Sequence, residues 1–305
     1  MCNCPVYVRD EFGGSYIRPC GSCLGCRIDK TILWSGRCSS EYIKRRSAFV
    51  TLTYDTNHLV YGENQIEPTL CRKDLTQYID NLRHFIKRVG VPSGCDSDFA
   101  YVAVGEYGDS FGRPHIHLLF FGLDFHDCEK YFSKSWKNGF VKTLPLQKGG
   151  IRYVLDYMFK NFGSDSNSKY LKNGLEKPFF SCSKSIGLDY FFANKDSIVN
   201  NGYIKSGSRK IPVPTYYKNM LMNFDSGEVA TLEYNQYLNF LDRLKLVKAQ
   251  GYTDYIEYMK EQRKLRERSL TSKFRSKGYG VYDCYSDFNS GNSKTIALEA
   301  LSYEN

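Results

Sequence analysis

His115 and His117 stand two residues apart in the run Pro114-His115-Ile116-His117-Leu118-Leu119-Phe120-Phe121. Side chains alternate along a β-strand, so these two imidazoles would project side by side from a stiff, apolar support. Paired in this way, neutral imidazoles make ready metal ligands. Glu106, at the end of Phe99-Ala100-Tyr101-Val102-Ala103-Val104-Gly105, is the candidate third ligand. A hairpin register that sets Glu106 opposite His115 would bring its carboxylate to the same face, and the sequence leaves that register open. Two His and one carboxylate keep coordination positions open for a substrate and suit Mn²⁺, Mg²⁺ or Zn²⁺. In the competing reading the histidines only form hydrogen bonds at a sheet surface.

A second group lies downstream. Tyr153 and Tyr157 are four apart, which stacks them one above the other on a helix, and Lys160 follows on the same side. Ile151, Val154, Leu155, Met158 and Phe162 form a separate apolar arc, so the helix can pack without burying the tyrosines. A tyrosine hydroxyl can attack a phosphodiester and hold it covalently. With an ordinary pKa of about 10, the hydroxyl needs a site that favours phenolate and offsets charge on the phosphoryl oxygens. An ammonium such as that of Lys160 helps with both. The alternative is that the tyrosine pair is only a packing feature.

Cysteines form a third group. Cys20, Cys23 and Cys26 follow C-x2-C-x2-C, the opening of an iron–sulfur motif, but position 30, where the fourth cysteine belongs, is Lys30. Cys20, Cys23 and Cys26 with Cys4 (or Cys2) could instead hold a structural Zn²⁺, set against the reading that they are simply free thiols in a turn-rich segment.

These groups need elements to position them. Residues 1–30 read as a turn-rich, cysteine-rich segment and 31–46 as a helix. Phe49–Tyr54 reads as a strand, and a helix runs from Lys73 to Val89 on Leu75, Tyr78, Ile79, Leu82, Phe85, Ile86 and Val89. Strands are predicted over 99–106 and 114–121, a short helix over 127–137, and the tyrosine helix over 151–162. The order strand, helix, strand, strand, helix predicts an α+β fold with an antiparallel sheet. Domain boundaries are expected at 31–225 for the main domain, 226–280 for a basic helical region and 281–305 for a polar, mobile tail.

Lys and Arg (42) outnumber Asp and Glu (33), and 25 Tyr with 20 Phe supply many aromatic faces. That combination suits single-stranded nucleic acid, whose phosphates attract cations and whose bases stack. Arg263, Lys264, Arg266 and Arg268, within the basic run Lys260–Lys277, are the expected phosphate contacts. No apolar stretch approaches the about 18 residues needed to span a bilayer, and the N-terminus lacks a signal-peptide layout. A soluble cytoplasmic protein with no membrane partner is expected.

The runs Gly105-Glu106-Tyr107-Gly108, Gly112-Arg113-Pro114-His115-Ile116-His117-Leu118-Leu119-Phe120-Phe121-Gly122 and Arg152-Tyr153-Val154-Leu155-Asp156-Tyr157-Met158-Phe159-Lys160 resemble the HUH endonucleases. Within them, the chain is most similar to replication initiators of gokushovirus-like Microviridae. Pro19-Cys20-Gly21-Ser22-Cys23-Leu24-Gly25-Cys26-Arg27, Phe49–Tyr54 and Ile211-Pro212-Val213-Pro214-Thr215-Tyr216-Tyr217 fit the same group. The likeness covers about residues 1–220. One departure is Ser183-Lys184-Ser185-Ile186-Gly187, where relatives tend to carry Pro before Gly-Ile-Gly. A histidine-triad nucleotide hydrolase, which also begins H-x-H, is disfavoured because its third His would fall at Leu119.

The resemblance implies a ferredoxin- or RRM-like antiparallel sheet with the H-x-H on a central strand. It implies a nickase that starts rolling-circle replication at an origin, stays on the new 5′ end and leaves a 3′-OH. Carried over, His115, His117 and Glu106 would hold Mg²⁺ or Mn²⁺, Tyr153 and Tyr157 would attack, and Lys160 would assist. Host helicase and polymerase would be partners, in the bacterial cytoplasm. A non-catalytic origin- or RNA-binding module, or an HUH relaxase or transposase, are the alternatives.

Overall fold

The computed structural model describes residues 6–9, 15–21, 24–63, 65–108, 112–147, 150–152, 154–155, 170, 173–184, 186–206 and 208–253, with scattered positions to 265. Tyr153, Tyr157, Lys160, Cys4, Cys23, Arg263, Arg266 and Arg268 lie outside the described residues.

The chain opens with the antiparallel pair β1 (Val6–Arg9) and β2 (Ser15–Arg18), followed by α1 (Leu24–Lys44). The cysteine-rich segment therefore holds a hairpin and the start of a helix, where a turn-rich stretch to residue 30 was expected. Cys38 is buried in α1 as a small apolar side chain, and Cys26 near its start is buried as well.

The centre of the fold is a five-stranded sheet in the order β8-β3-β7-β6-β9, with each pairing antiparallel. Its strands are β3 (Ser47–Tyr54), β6 (Ala100–Tyr107), β7 (Pro114–Phe121), β8 (Gly139–Pro145) and β9 (Phe179–Cys182). Short β4 (Val60–Tyr61) and β5 (Pro68–Thr69) pair with each other before α2 (Arg72–Val89). This is the expected α+β architecture, with the H-x-H strand at the middle of the sheet. The sequence missed β8 and β9.

Period-2 patterning assigns the two faces of the sheet. Ala48, Val50, Leu52 and Tyr54 of β3 and Ile116, Leu118 and Phe120 of β7 point to one side. There they meet Leu75, Tyr78, Ile79, Leu82 and Ile86 of α2, spaced three and four apart as a helix stripe requires. Asp74 in its first turn and Lys87 and Arg88 in its last suit the helix dipole. Val89, expected in this stripe, is exposed, because the helix ends at Gly90. Phe132 of α3 (Glu129–Ser135) and the following Trp136 complete this layer.

On the opposite face Val102, Val104, Leu119 and Phe121 pack with Cys38 of α1, Ile186, and Ile151, Val154 and Leu155 from the helical residues 150–152 and 154–155. Ile151, Val154 and Leu155 thus form the apolar arc the sequence predicts; Met158 and Phe162 lie outside the described residues. A third cluster joins α4 (Leu188–Asn201), the hairpin β10 (Ile204–Ser206) and β11 (Arg209–Ile211), α5 (Thr215–Phe224) and the start of α6 (Ser226–Ala249) through Phe191, Ile198, Tyr217, Leu221, Val229 and Leu232. No helix among the described residues is long and apolar enough to cross a membrane.

Candidate metal and phosphodiester site

The register of β6 and β7 pairs Glu106 with His115 and Val104 with His117. Glu106, His115 and His117 therefore share the face that carries Val102, Val104, Leu119 and Phe121, and the open question of register is answered in favour of the three-residue group. On the other side of β7, Thr53 faces His115 and Thr51 faces His117.

Glu106 is only 3% exposed, although it is a carboxylate on a β-strand. Its Oε1 lies 2.9 Å from His117 Nε2, a diagonal contact one pleat along from its direct partner. His117 Nδ1 lies 3.0 Å from Thr51 Oγ1. An ionised carboxylate only accepts, so Nε2–H donates to Glu106 and Nδ1 accepts from the Thr51 hydroxyl. The ring also stacks on Phe49, with centroids 5.6 Å apart. Three contacts thus fix one imidazole.

His115 sits beside it, with 5.9 Å between ring centroids. Its ring rests on the backbone of Gly108: a Cβ at that position would lie 2.9 Å from both Cε1 and Nε2. Gly108 is thus a seat for His115, and any larger residue there would displace the ring. Arg113 closes the same end of the hairpin by donating from Nη1 to the Tyr54 carbonyl at 2.7 Å.

Among the described residues, Glu106 Oε2 is buried and has no hydrogen-bond partner. Leaving a buried acceptor unmatched costs about 1–3 kcal/mol, more for a charged one, so its retention points to a ligand. Two imidazoles and a carboxylate with a spare oxygen are the donor types a divalent cation takes, so the residues fit such an ion. Among the described residues, no three His, Cys, Asp or Glu side chains are already arranged to hold one. Here Glu106 and His117 are joined directly, so an ion would replace their hydrogen bond. Thr51 tolerates that exchange, since its hydroxyl can donate to Nδ1 or accept from it.

Ile151, Val154 and Leu155 belong to the same cluster as Leu119 and Phe121, two and four positions beyond His117 on one strand face. Sequence reasoning identified the histidines and Glu106 but missed Thr51 and Gly108. The only available signal for Thr51 was its odd position in Phe49-Val50-Thr51-Leu52-Thr53-Tyr54; for Gly108 it was the Gly-Glu-Tyr-Gly run.

Of the cysteine group, Cys20 and Cys26 are described, with their sulfurs 4.0 Å apart. In the basic run, Lys264 is exposed.

Glu106→Gln keeps the shape and removes the buried charge. In metal-free buffer with EDTA it is expected to match or exceed the parent chain in stability, with Tm higher by about 2–4 °C per kcal/mol regained. Thermal unfolding followed by circular dichroism checks this, and a Tm several degrees lower would refute the idea that Glu106 is held under strain.

Residues 47–162 match the family model of the ORF2-type replication-associated proteins, a span that runs from β3 through the tyrosine segment. The chain is 33% identical over 186 residues to the replication-associated protein ORF2 of Spiroplasma virus 4, covering 56% of this chain and 55% of the relative. It is 27% identical over 248 residues to the replication-associated protein ORF4 of Chlamydia phage 1, covering 72% and 58%. It is also 27% identical over 179 residues to the replication-associated protein VP4 of Bdellovibrio phage phiMH2K, covering 51% and 53%. The chain spans between half and three fifths of the length of these relatives. No solved structure matches it. With its central sheet strands, its histidine strand and the tyrosine segment inside the matched span, the chain is similar to the replication-associated proteins of these viruses, which supports a gokushovirus-like replication initiator.

Proposed function

We propose that the chain acts in viral DNA replication as an HUH-type endonuclease that nicks and rejoins single-stranded DNA at a replication origin. The observation that supports this reading is Glu106, buried with one oxygen unmatched among the described residues, on the sheet face that holds both histidines and packs with Ile151, Val154 and Leu155.

In this reading His115, His117 and Glu106 hold Mg²⁺ or Mn²⁺. When bound, the ion supplies positive charge that polarises the scissile phosphate and stabilises its transition state. Tyr153 or Tyr157 attacks phosphorus, the P–O3′ bond breaks, and the 3′ oxygen leaves as a hydroxyl after taking up a proton. The 5′ phosphate stays on the tyrosine. Lys160 offsets charge on the phosphoryl oxygens. Attack by a 3′-OH on the phosphotyrosine reverses the step, and the energy of the original bond is kept. Two tyrosines let one hold an end while the other cuts again, which favours a replication initiator over a transposase. Arg263, Lys264, Arg266 and Arg268 add phosphate contacts, and host helicase and polymerase extend the exposed 3′ end in the bacterial cytoplasm.

The test is incubation of the full chain with Mn²⁺ and labelled single-stranded DNA carrying its own genome's origin, followed by denaturing electrophoresis. A protein–DNA band that survives boiling is expected, absent in EDTA and in Tyr153→Phe/Tyr157→Phe. Tight DNA binding without any adduct or cleavage would leave a binding module instead.

Thr51→Val should lower Mn²⁺ affinity by about 10- to 100-fold by removing the group that orients His117. Titration calorimetry reads this directly, and unchanged affinity would remove Thr51 from the site.

A structural Zn²⁺ held by Cys4, Cys20, Cys23 and Cys26 forms part of the same proposal. Tetrahedral thiolates at about 2.3 Å from zinc lie about 3.8 Å apart, close to the 4.0 Å between Cys20 and Cys26. Elemental analysis of the purified chain should find one equivalent of zinc that is lost in Cys20→Ser/Cys26→Ser. Zinc-free, fully folded protein would refute it.

A further inference from the structure

The histidine face is closed on two sides and open on a third. Towards β9 it is walled by Phe180, whose ring meets Trp34 at 4.7 Å. Along the strands, beyond His117, it is covered by Ile151, Val154 and Leu155 over Leu119 and Phe121. Across β3 it continues without a cover among the described residues. The ladder aligns Glu106, His115, Thr53 and Phe140 in one row, and Val104, His117, Thr51 and Lys142 in the next. Phe140 and Lys142 therefore stand on the same face as the histidines, two strands away, at about 10 Å given the usual strand spacing of about 4.8 Å.

Phe140 is 67% exposed and Lys142 is exposed beside it. A large aromatic left in water on an edge strand gains nothing for the core. Its placement is nonetheless firmly fixed. Gly139, with φ of 149°, lets the chain come so close that a Cβ would lie 2.3 Å from the Thr53 carbonyl oxygen. Asp55 N–H donates to the Asn138 carbonyl at 3.0 Å, and the Trp136 indole donates to that of Thr53 at 3.3 Å. The start of β8 is thus clamped to the end of β3, and Phe140 is the first side chain after the clamp.

We infer that Phe140 and Lys142 form the platform over which single-stranded DNA leaves the site, with a base stacked on the Phe140 ring and a phosphate paired with the Lys142 ammonium. The strand then crosses the sheet at right angles to the β-strands, over Thr53 and Thr51. An exposed ring next to an exposed cation, on a chain of net charge +9, matches the alternating bases and phosphates of a single strand. The inference rests on the phosphodiester reading of the histidine site but concerns binding, which can be measured without catalysis.

The experiment is fluorescence anisotropy of the full chain in EDTA with two labelled probes, an oligothymidylate and an abasic oligonucleotide of equal length. Phe140→Ala should weaken oligothymidylate binding about tenfold and leave abasic binding unchanged, whereas Phe140→Trp restores it. Lys142→Gln should weaken both probes and lower the salt slope by about 0.7. Because both side chains are exposed, the variants keep the parent Tm. Equal affinity of Phe140→Ala and parent for oligothymidylate, or an equal loss on both probes, overturns the platform. If the parent forms the covalent adduct while Phe140→Ala binds normally, the platform fails and the nickase reading stands. If Phe140→Ala loses base-dependent binding but the parent forms no adduct, the platform stands and the nickase reading fails.

Discussion

A carboxylate taken almost wholly out of water has to be matched, and in this protein the ladder between β6 and β7 does the matching. Glu106 reaches His117 because the register sets it opposite His115, one pleat away. A slip of one residue would turn Glu106 to the α2 side and leave a bare charge among Leu, Ile and Phe, at a cost of several kcal/mol. The buried acid therefore fixes the register as much as the register positions the acid. Half of its hydrogen-bonding capacity is left unused, a cost that a stability-driven core would not carry.

The remainder of the sheet serves this arrangement. β3 lends Thr51 and Phe49 to hold the His117 ring, and Gly108 provides the flat seat for His115. One face, packed on α2, is largely apolar and supplies stability. The other changes along each strand from apolar, beneath α1 and Ile151, Val154 and Leu155, to polar at Glu106, His115, Thr51 and Thr53. That change of character within single strands marks where the core ends and where chemistry can begin.

Much of this was legible in the sequence. The β7 strand announced itself through an unbroken apolar run after two histidines, and α2 through its three-and-four spacing. Glu106 was identifiable as the acid that ends an apolar strand. Edge strands were less visible: β8 alternates Phe140, Lys142 and Leu144 with Val141 and Thr143, so neither set is plainly apolar. β9 is only four residues long, and its pairing with β6 is non-local. Thr51 gave little signal beyond its alternate position, because a threonine in a strand is ordinary until its neighbour across the ladder is known. The clamp at Gly139 was equally hidden, since a close backbone approach is a property of two segments and not of one.

The hairpin has a consequence for the way the chain comes to be folded. Within the central sheet, β6 and β7 are the pair joined by a short connection, whereas Thr53 must find His115 across the whole of α2 and β6, and Gly105 must wait for Phe179. Closing a short loop loses less chain entropy, so this pairing is the least costly in the sheet and the natural nucleus for it. Glu106 and His115 are therefore brought face to face as soon as the hairpin closes, while the segment carrying the tyrosines is still to emerge from the ribosome. The pairing of the histidine and glutamate strands thus precedes the tyrosine segment in time, and the nascent chain carries the former before it has the latter.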